Sequence, residues 1–309
     1  MAVTADTHVL TETCGLVDRS ERGKLALTGS EAKVFLQGQV TNDIEGLEPG
    51  RGCYAAFLTH KGKMLGDMRV LDLGDELLLD TERVALQELF NMIRRYKLGS
   101  DVELHKRTVE LALLSLVGPE ARRVVGAEDL IEEHANRRAD IGGVPVVLVA
   151  TDVGVDVFAP AESKAAVVEA LGVPEVDEAA AEVVRVERGR PRYGVDLDEG
   201  VIPQEAGLNE RAVSFTKGCY VGQETVARLH YRGKPNRHLR GLRLSEPVEP
   251  GAVLRVGEKD VGRLTSVALS PAFGPIGLAI VRRQAAPGDT VAVGEGGATA
   301  EVVDVPFAG

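Results

Sequence analysis

Cys219 lies between two glycines in the run Lys217-Gly218-Cys219-Tyr220-Val221-Gly222-Gln223-Glu224. A cysteine reacts as its thiolate, which a nearby cation or a helix N-terminus stabilises. Lys217 stands two residues upstream, and a short helix is expected from Gln223 to His230. The glycines allow tight turns and close approach of a ligand to the backbone. Three chemistries are open to Cys219: nucleophile, redox thiol or transient metal ligand. So is the commoner fate of a free cysteine, a small buried hydrophobe, to which Cys14 and Cys53 are assigned. The three cysteines are far apart, and the six histidines show no H-x-x-x-H pairing. Neither a disulfide framework nor a resident metal site is expected.

Glu187 is the second candidate. On a helix capped by Asp177, the apolar stripe Ala180, Val183, Val184 continues to Glu187. A carboxylate is thus aimed at the apolar side, near the helix C-terminus, where the dipole disfavours an anion. It needs compensation, either by Arg190 or Arg192 or by the N–H groups of a ligand. The third candidate is residues 211–240, which carry seven Lys and Arg against Glu224 alone in a chain of net charge −11. Such an island focuses an anion, whether a polyglutamate tail, a phosphate or RNA, unless acidic neighbours neutralise it.

Positioning these groups falls to a mixed body. Strands are expected at Lys24 to Thr28, Cys53 to Leu58, Met64 to Leu73, Glu76 to Asp80, Asp101 to His105, Val109 to Val117, Val144 to Ala150 and Gly154 to Phe158. Helices are expected at about Glu31 to Gln37 (capped by Ser30), Glu82 to Leu98, Pro160 to Leu171 and Asp177 to Arg188, with a short one opening at Pro119. This alternation points to an α+β body rather than a doubly wound sheet. From Arg190 to Asn236 the pattern is irregular, which in a compact protein is usually functional. Six short strands after His238 predict a small C-terminal β-barrel. The domains are therefore expected as residues 1–237, an α+β body, and 238–309, the barrel.

The 309 residues suffice for two or three domains with aliphatic cores, since aromatics make up 4% and Trp is absent. No apolar run approaches the ~20 residues of a membrane span, and residues 1–14 lack a targeting pattern, so a cytoplasmic location and no membrane partner are expected. The acidic balance argues against stable nucleic-acid binding.

The run Lys217 to Glu224, followed by Val226-Ala227-Arg228, resembles the signature of the YgfZ-type folate-binding proteins, relatives of the glycine-cleavage T-protein, the aminomethyltransferase. Arg185-x-Glu187-x-Gly189, Ile202-Pro203-Gln204-Glu205, Phe35 to Asp43, Gly262 to Ser266 and Ala279-x-Val281-Arg282 fit the same family. The resemblance covers nearly the whole chain. It implies a T-protein-like multi-domain fold around a folate-lined opening, with tetrahydrofolate or a one-carbon derivative as cofactor. It further implies that Glu187 holds the pterin and that Asn42, Tyr54 and Arg228 contact the folate. Cys219 is then the reactive thiol, with Lys217 as its stabiliser. T-proteins carry adjacent aspartates where this chain has Lys61-Gly-Lys-Met-Leu-Gly66-Asp67, so the first carboxylate is missing at Gly66. The YgfZ-type branch implies a role in iron–sulfur cluster assembly or repair, with iron–sulfur proteins or assembly factors as partners, including tRNA-modifying enzymes. The alternatives are an aminomethyltransferase of glycine cleavage and a non-catalytic folate-binding scaffold.

Overall fold

The computed structural model describes residues 2–308. Helix α1 (Ala2–Glu12) leads into strand β1 (Gly15–Asp18), then β2 (Gly23–Thr28) and α2 (Ala32–Gln37). Next come β3 (Gly52–Leu58), β4 (Met64–Asp72), β5 (Leu77–Thr81), α3 (Leu86–Tyr96), β6 (Glu103–Lys106) and β7 (Leu111–Val117). They are followed by α4 (Ala121–Val124), β8 (Asn136–Ile141), β9 (Val144–Ala150), β10 (Gly154–Pro160), α5 (Lys164–Leu171) and α6 (Glu178–Glu187). Two short helices, α7 (Asn209–Ala212) and α8 (Gln223–Arg232), interrupt the irregular stretch. The last six strands are β11 (Arg237–Leu244), β12 (Val253–Val256), β13 (Lys259–Ser270), β14 (Gly274–Arg282), β15 (Thr290–Val293) and β16 (Ala298–Val303).

The strands make two antiparallel five-stranded sheets, ordered β3-β4-β5-β2-β6 and β1-β7-β10-β9-β8, and a closed barrel ordered β11-β14-β13-β12-β15-β16. The chain starts the second sheet with β1, leaves to build the whole first sheet, and returns with β7. The first sheet buries its apolar face on α2 and α3 through Leu27, Leu36, Phe57, Leu89 and Ile93. The second packs Leu148 and Val157 beneath α5, which contributes Val167. Helix α6 joins body to barrel: Ala180 packs on Leu10 and Val17, while Val186 packs on Leu239 and Ile276.

The α+β body and the barrel follow expectation; several local features do not. α1, β1 and β8 carry little periodic apolar signal. α1 is rich in threonine, β1 has four residues, and β8 is a polar edge strand with alternate residues exposed. Ser30 does not cap α2. Its hydroxyl donates to Asp101 Oδ2 at 2.6 Å, so a tertiary partner outcompetes the local one. Residues 82–85 form a turn before α3 rather than its first turn. Asp177 does cap α6, accepting from the Ala179 amide at 2.9 Å. No helix among the described residues is long and apolar enough to cross a membrane.

A buried ladder of charge links the two sheets. Asp80 on β5 accepts from Arg22 through both oxygens, at 2.9 and 3.0 Å, and from Arg69 at 2.7 Å. Arg69 on β4 continues to Asp156 of β10 at 2.5 Å. Burial acts to raise the pKa of Asp80, but Arg22 and Arg69 overrule it and hold the carboxyl at about 2. Its contribution to stability is therefore complete above the ordinary carboxylate range and lost as pH falls toward 2. Asp80→Asn leaves two buried guanidiniums short of a counter-charge, and urea unfolding at pH 7 is expected to show a loss of about 3–5 kcal/mol. A loss under about 1 kcal/mol, the scale of an exposed pair, would show the ladder to be dispensable.

Candidate functional site

Between the two sheets, α6 and residues 190–193 lies a cavity of about 200 Å³. Strands β3 and β4 supply its floor. Tyr54 and Asp67 are diagonal neighbours in their antiparallel register, two residues apart across the pair Ala56–Asp67. The Tyr54 hydroxyl donates to Asp67 Oδ2 at 2.5 Å. Burial pushes Asp67 up to about 6, against the pull of the tyrosine hydrogen bond, and the nearby Glu82 adds to the rise. A carboxyl that titrates this close to neutrality, facing a cavity, is suited to general acid–base work.

Gly66 does not mark a missing carboxylate in this cavity. A Cβ at position 66 would lie 2.5 Å from Phe57 Cζ and 2.8 Å from the Ala85 Cβ. Successive residues of a strand face opposite sides, so position 66 points into the apolar core and position 67 into the cavity. The carboxyl that this stretch presents to the cavity is therefore that of Asp67.

The opposite wall carries hydrogen-bonding capacity without protein partners. Arg190 donates to Asp152 at 3.0 Å and to Glu133 at 3.3 Å, yet its Nη1 is buried and unpartnered. Arg211 donates to Glu133 at 3.2 Å and stacks 5.0 Å from the Tyr54 ring, leaving Nε without an acceptor. His134, buried and held at a left-handed φ of 71°, has no partner for Nδ1. Burial lowers its pKa to about 4, so the ring is neutral at physiological pH. Buried polar groups without partners are costly, and three of them lining one cavity suit a polar ligand. A second hollow of about 410 Å³ shares Arg188, Arg190 and Arg211 with the first and adds Arg240.

Of the site residues that the resemblance implies, only Tyr54 lines the cavity. Asn42 supports it from behind, donating to the backbone oxygens of Tyr54 at 2.8 Å and Arg211 at 3.2 Å. Glu187, expected to hold the pterin, turns away. Its carboxylate accepts from Ser270 of the barrel at 2.5 Å, and its backbone oxygen accepts from Phe307 at 2.9 Å. The apolar stripe bearing Glu187 is a packing face, and α6 meets the cavity with Val184 and Arg185 instead, followed by Arg188 just past its end.

Lys217 is also corrected. Its ammonium donates to the carbonyls of Gln37, Val40 and Asn42 at 2.5, 2.8 and 2.8 Å. An ammonium has three hydrogens, so none remains for Cys219. Burial lowers the pKa of Lys217 to about 8 despite Asp43. Tyr220 and Val226 are buried in the main core, and Gly222, at φ 86°, presses on the β3–β4 turn, where a Cβ would lie 2.6 Å from Thr59 O. Cys219 is exposed, outside the cavity, and so is Arg228. The basic island disperses: Lys217 is tied to the three carbonyls, Arg211 and Arg240 face the hollows, Arg237 is clamped on Glu205 at 2.9 Å, and Arg228, Arg232 and Lys234 lie outward.

Asp67 and His134 were missed as site residues, and Arg190 was read only as a counter-charge for Glu187, whereas it pairs with Asp152 and Glu133. Asp67 stood beside Gly66 in the motif, and strand alternation was the available signal. His134 has no periodic context at all.

The raised pKa of Asp67 ties stability to pH. Its folded pKa of about 6 exceeds the ordinary 3.8, so the folded state holds the proton more tightly and stability falls as pH rises from about 4 through 6. Asp67→Asn keeps an acceptor for Tyr54 but cannot ionise. The variant's stability relative to wild type should climb across that window, by up to about 3 kcal/mol at ~1.36 kcal/mol per pKa unit, and level off above it. A stability difference that is flat from pH 4 to 8 would mean that Asp67 is not perturbed.

Residues 1–217 match the family model for the GCVT N-terminal domain, and residues 237–308 match the glycine cleavage T-protein C-terminal barrel domain. An aminomethyltransferase from Rubrobacter xylanophilus is 30% identical, with 99% of this chain and 86% of the relative covered. The tRNA-modifying protein YgfZ of Colwellia psychrerythraea is 26% identical, with 80% and 76% covered. The fold is that of the glycine cleavage system aminomethyltransferase T from Bartonella henselae, at a TM-score of 0.90 and 23% identity over 99% of this chain and 89% of that one. With both family models matched in order along a fold of the same kind, the chain belongs to the glycine cleavage T-protein family, as a YgfZ-like member.

Proposed function

We propose that the chain binds a tetrahydrofolate, or a one-carbon derivative, in the cavity and acts in iron–sulfur cluster assembly or repair, with Cys219 as its reactive thiol. Folate binding is general to the family and fits the residues present. The unpartnered nitrogens of His134, Arg190 and Arg211 match a ligand rich in ring nitrogens, carbonyls and carboxylates. The observation that carries the proposal is Asp67, a buried carboxyl facing the cavity beside Tyr54. When bound, the folate supplies a nitrogen able to carry a one-carbon unit. Asp67 holds or delivers a proton at that end, Tyr54 orients Asp67, and Arg211 covers the ring of Tyr54. The second hollow suits the acidic tail of the ligand through Arg188, with Arg240 shared with Asp304 at 3.4 Å. Glu187 secures α6 to the barrel in this reading.

The thiol belongs to a different part of the surface. Cys219 stands on a loop whose neighbours Lys217, Tyr220 and Gly222 are all fixed, which presents it outward to a macromolecular partner. Its proposed partners are iron–sulfur proteins or assembly factors in the cytoplasm, the cluster being cargo. The relative named as a tRNA-modifying protein supports tRNA modification as one process so served.

A second reading, aminomethyl transfer in glycine cleavage, gains from Asp67, because the carboxylate facing the cavity is present. Ammonia release from an aminomethyl-lipoyl carrier with tetrahydrofolate would select it.

Calorimetric titration with tetrahydrofolate tests the first reading. Wild type should bind saturably, and Arg211→Gln should bind about tenfold or more weakly, on the scale of a lost charged hydrogen bond. Cys219→Ala should bind like wild type and fail to restore iron–sulfur enzyme activity in a deletion strain. Absence of binding by wild type rules out the folate site, and full rescue by Cys219→Ala removes the thiol from the mechanism.

A further inference from the structure

The far end of α8 carries an aromatic cluster outside the cavity, anchored on the main core through Phe215. Phe215 and His230 stack with ring centroids 3.7 Å apart and planes 15° from parallel. Tyr231 meets both edge-on, at 6.3 and 4.8 Å. His230 is exposed, and 67% of Tyr231 is open to solvent. Rings held rigid by their neighbours, yet uncovered, offer large contact area at little entropic cost, and such aromatics are enriched where partners bind.

Cations flank Tyr231, with Arg228 at i−3 on the same helix and Arg232 next to it in sequence. Arg228 and Arg232 lie one helical turn apart on the outer face of α8, and Lys234 follows the helix end. All three are exposed, and none is in an ion pair among the described residues. This sets them apart from the arginines of the body, where Arg22, Arg69, Arg185, Arg190 and Arg192 are each paired with acids. The β3–β4 turn adds to the same side. A Cβ at Gly62 would lie 2.9 Å from Thr225 Cβ, so exposed His60 and Lys61 sit beside the first turns of α8. Glu224 is the only acid from residue 211 to 240.

We propose that this face binds single-stranded nucleic acid, with a base stacked on the His230–Tyr231 cluster and phosphates on Arg228, Arg232 and Lys234. Unpaired bases expose flat π faces, and aromatic platforms flanked by cations capture them without sequence preference. A duplex keeps those faces buried, and an acidic peptide would engage the cations but leave the rings idle. The chain's net charge of −11 opposes coating elsewhere, which confines binding to this patch and narrows the expectation of no stable nucleic-acid binding.

Fluorescence anisotropy of a labelled dodecauridylate, titrated with the full chain at low and rising salt, tests it. Wild type should bind the single strand more tightly than a blunt RNA duplex of equal length. Tyr231→Ala should weaken binding about tenfold, the scale of one lost base stack. The double variant Arg232→Gln, Lys234→Gln should reduce the slope of log K against log salt by about 1.4, at ~0.7 per phosphate contact. Both variants should keep the wild-type unfolding midpoint, showing that the fold is intact. The proposal is overturned if wild type leaves the anisotropy unchanged or if Tyr231→Ala binds as wild type does. Equal affinity for the duplex, or displacement by poly-aspartate as readily as by unlabelled dodecauridylate, overturns it too, the last in favour of an acidic peptide.

Discussion

Arg69 shared between Asp80 of one sheet and Asp156 of the other is the contact on which the cavity depends. Two sheets that meet only through apolar surface can slide, because the hydrophobic effect has no direction. Buried guanidiniums fix the register, because their fork geometry admits few placements and a broken pair leaves a charge stranded. With Arg22 bound to Asp80 on both oxygens, β4 and β5 are held so that Asp67 opens into the space between the sheets. Two buried aspartates on adjacent strands then diverge. Asp80 is held at about 2 by its arginines, and Asp67, with a tyrosine for partner, rises to about 6. Environments that drive like groups apart in pKa are how a fold assigns one to structure and another to chemistry.

The segment Lys217 to Glu224 does two jobs with different residues. Lys217 draws three carbonyls around one ammonium at the end of α2, and Asn42, next to them, ties down Tyr54 and Arg211. Tyr220 enters the main core and Gly222 locks against the β3–β4 turn. The segment thus braces the floor of the cavity from outside while leaving Cys219 exposed. Cavity and thiol share a support but not a volume, which fits a protein that holds a small molecule on one side and meets a larger partner on another.

The barrel, the α6 cap and the main strands were legible in the sequence because their periodicity and turn residues are local. The family signature was legible too, but the role of each of its residues was not. Lys217 two residues from Cys219 suggested thiolate stabilisation, and only the fold shows three carbonyls claiming its hydrogens. Glu187 was correctly seen on the apolar stripe of α6, yet which partner faces that stripe is a tertiary fact, and it is Ser270. Gly66 drew attention as a missing carboxylate when the alternation of β4 makes Asp67 the residue that faces the cavity. His134, with an unpartnered nitrogen on the far wall, sits in a loop with no pattern to reveal it, and Arg190 beside it stood out only as a possible partner for Glu187.

The folate is proposed to lie against Asp67, and carbon-13 NMR of the aspartate side chains reads that carboxyl directly, with the resonance assigned by Asp67→Asn. The free protein should show a titration midpoint near 6 that moves when tetrahydrofolate is added. A midpoint near 4 that tetrahydrofolate leaves in place would contradict the account.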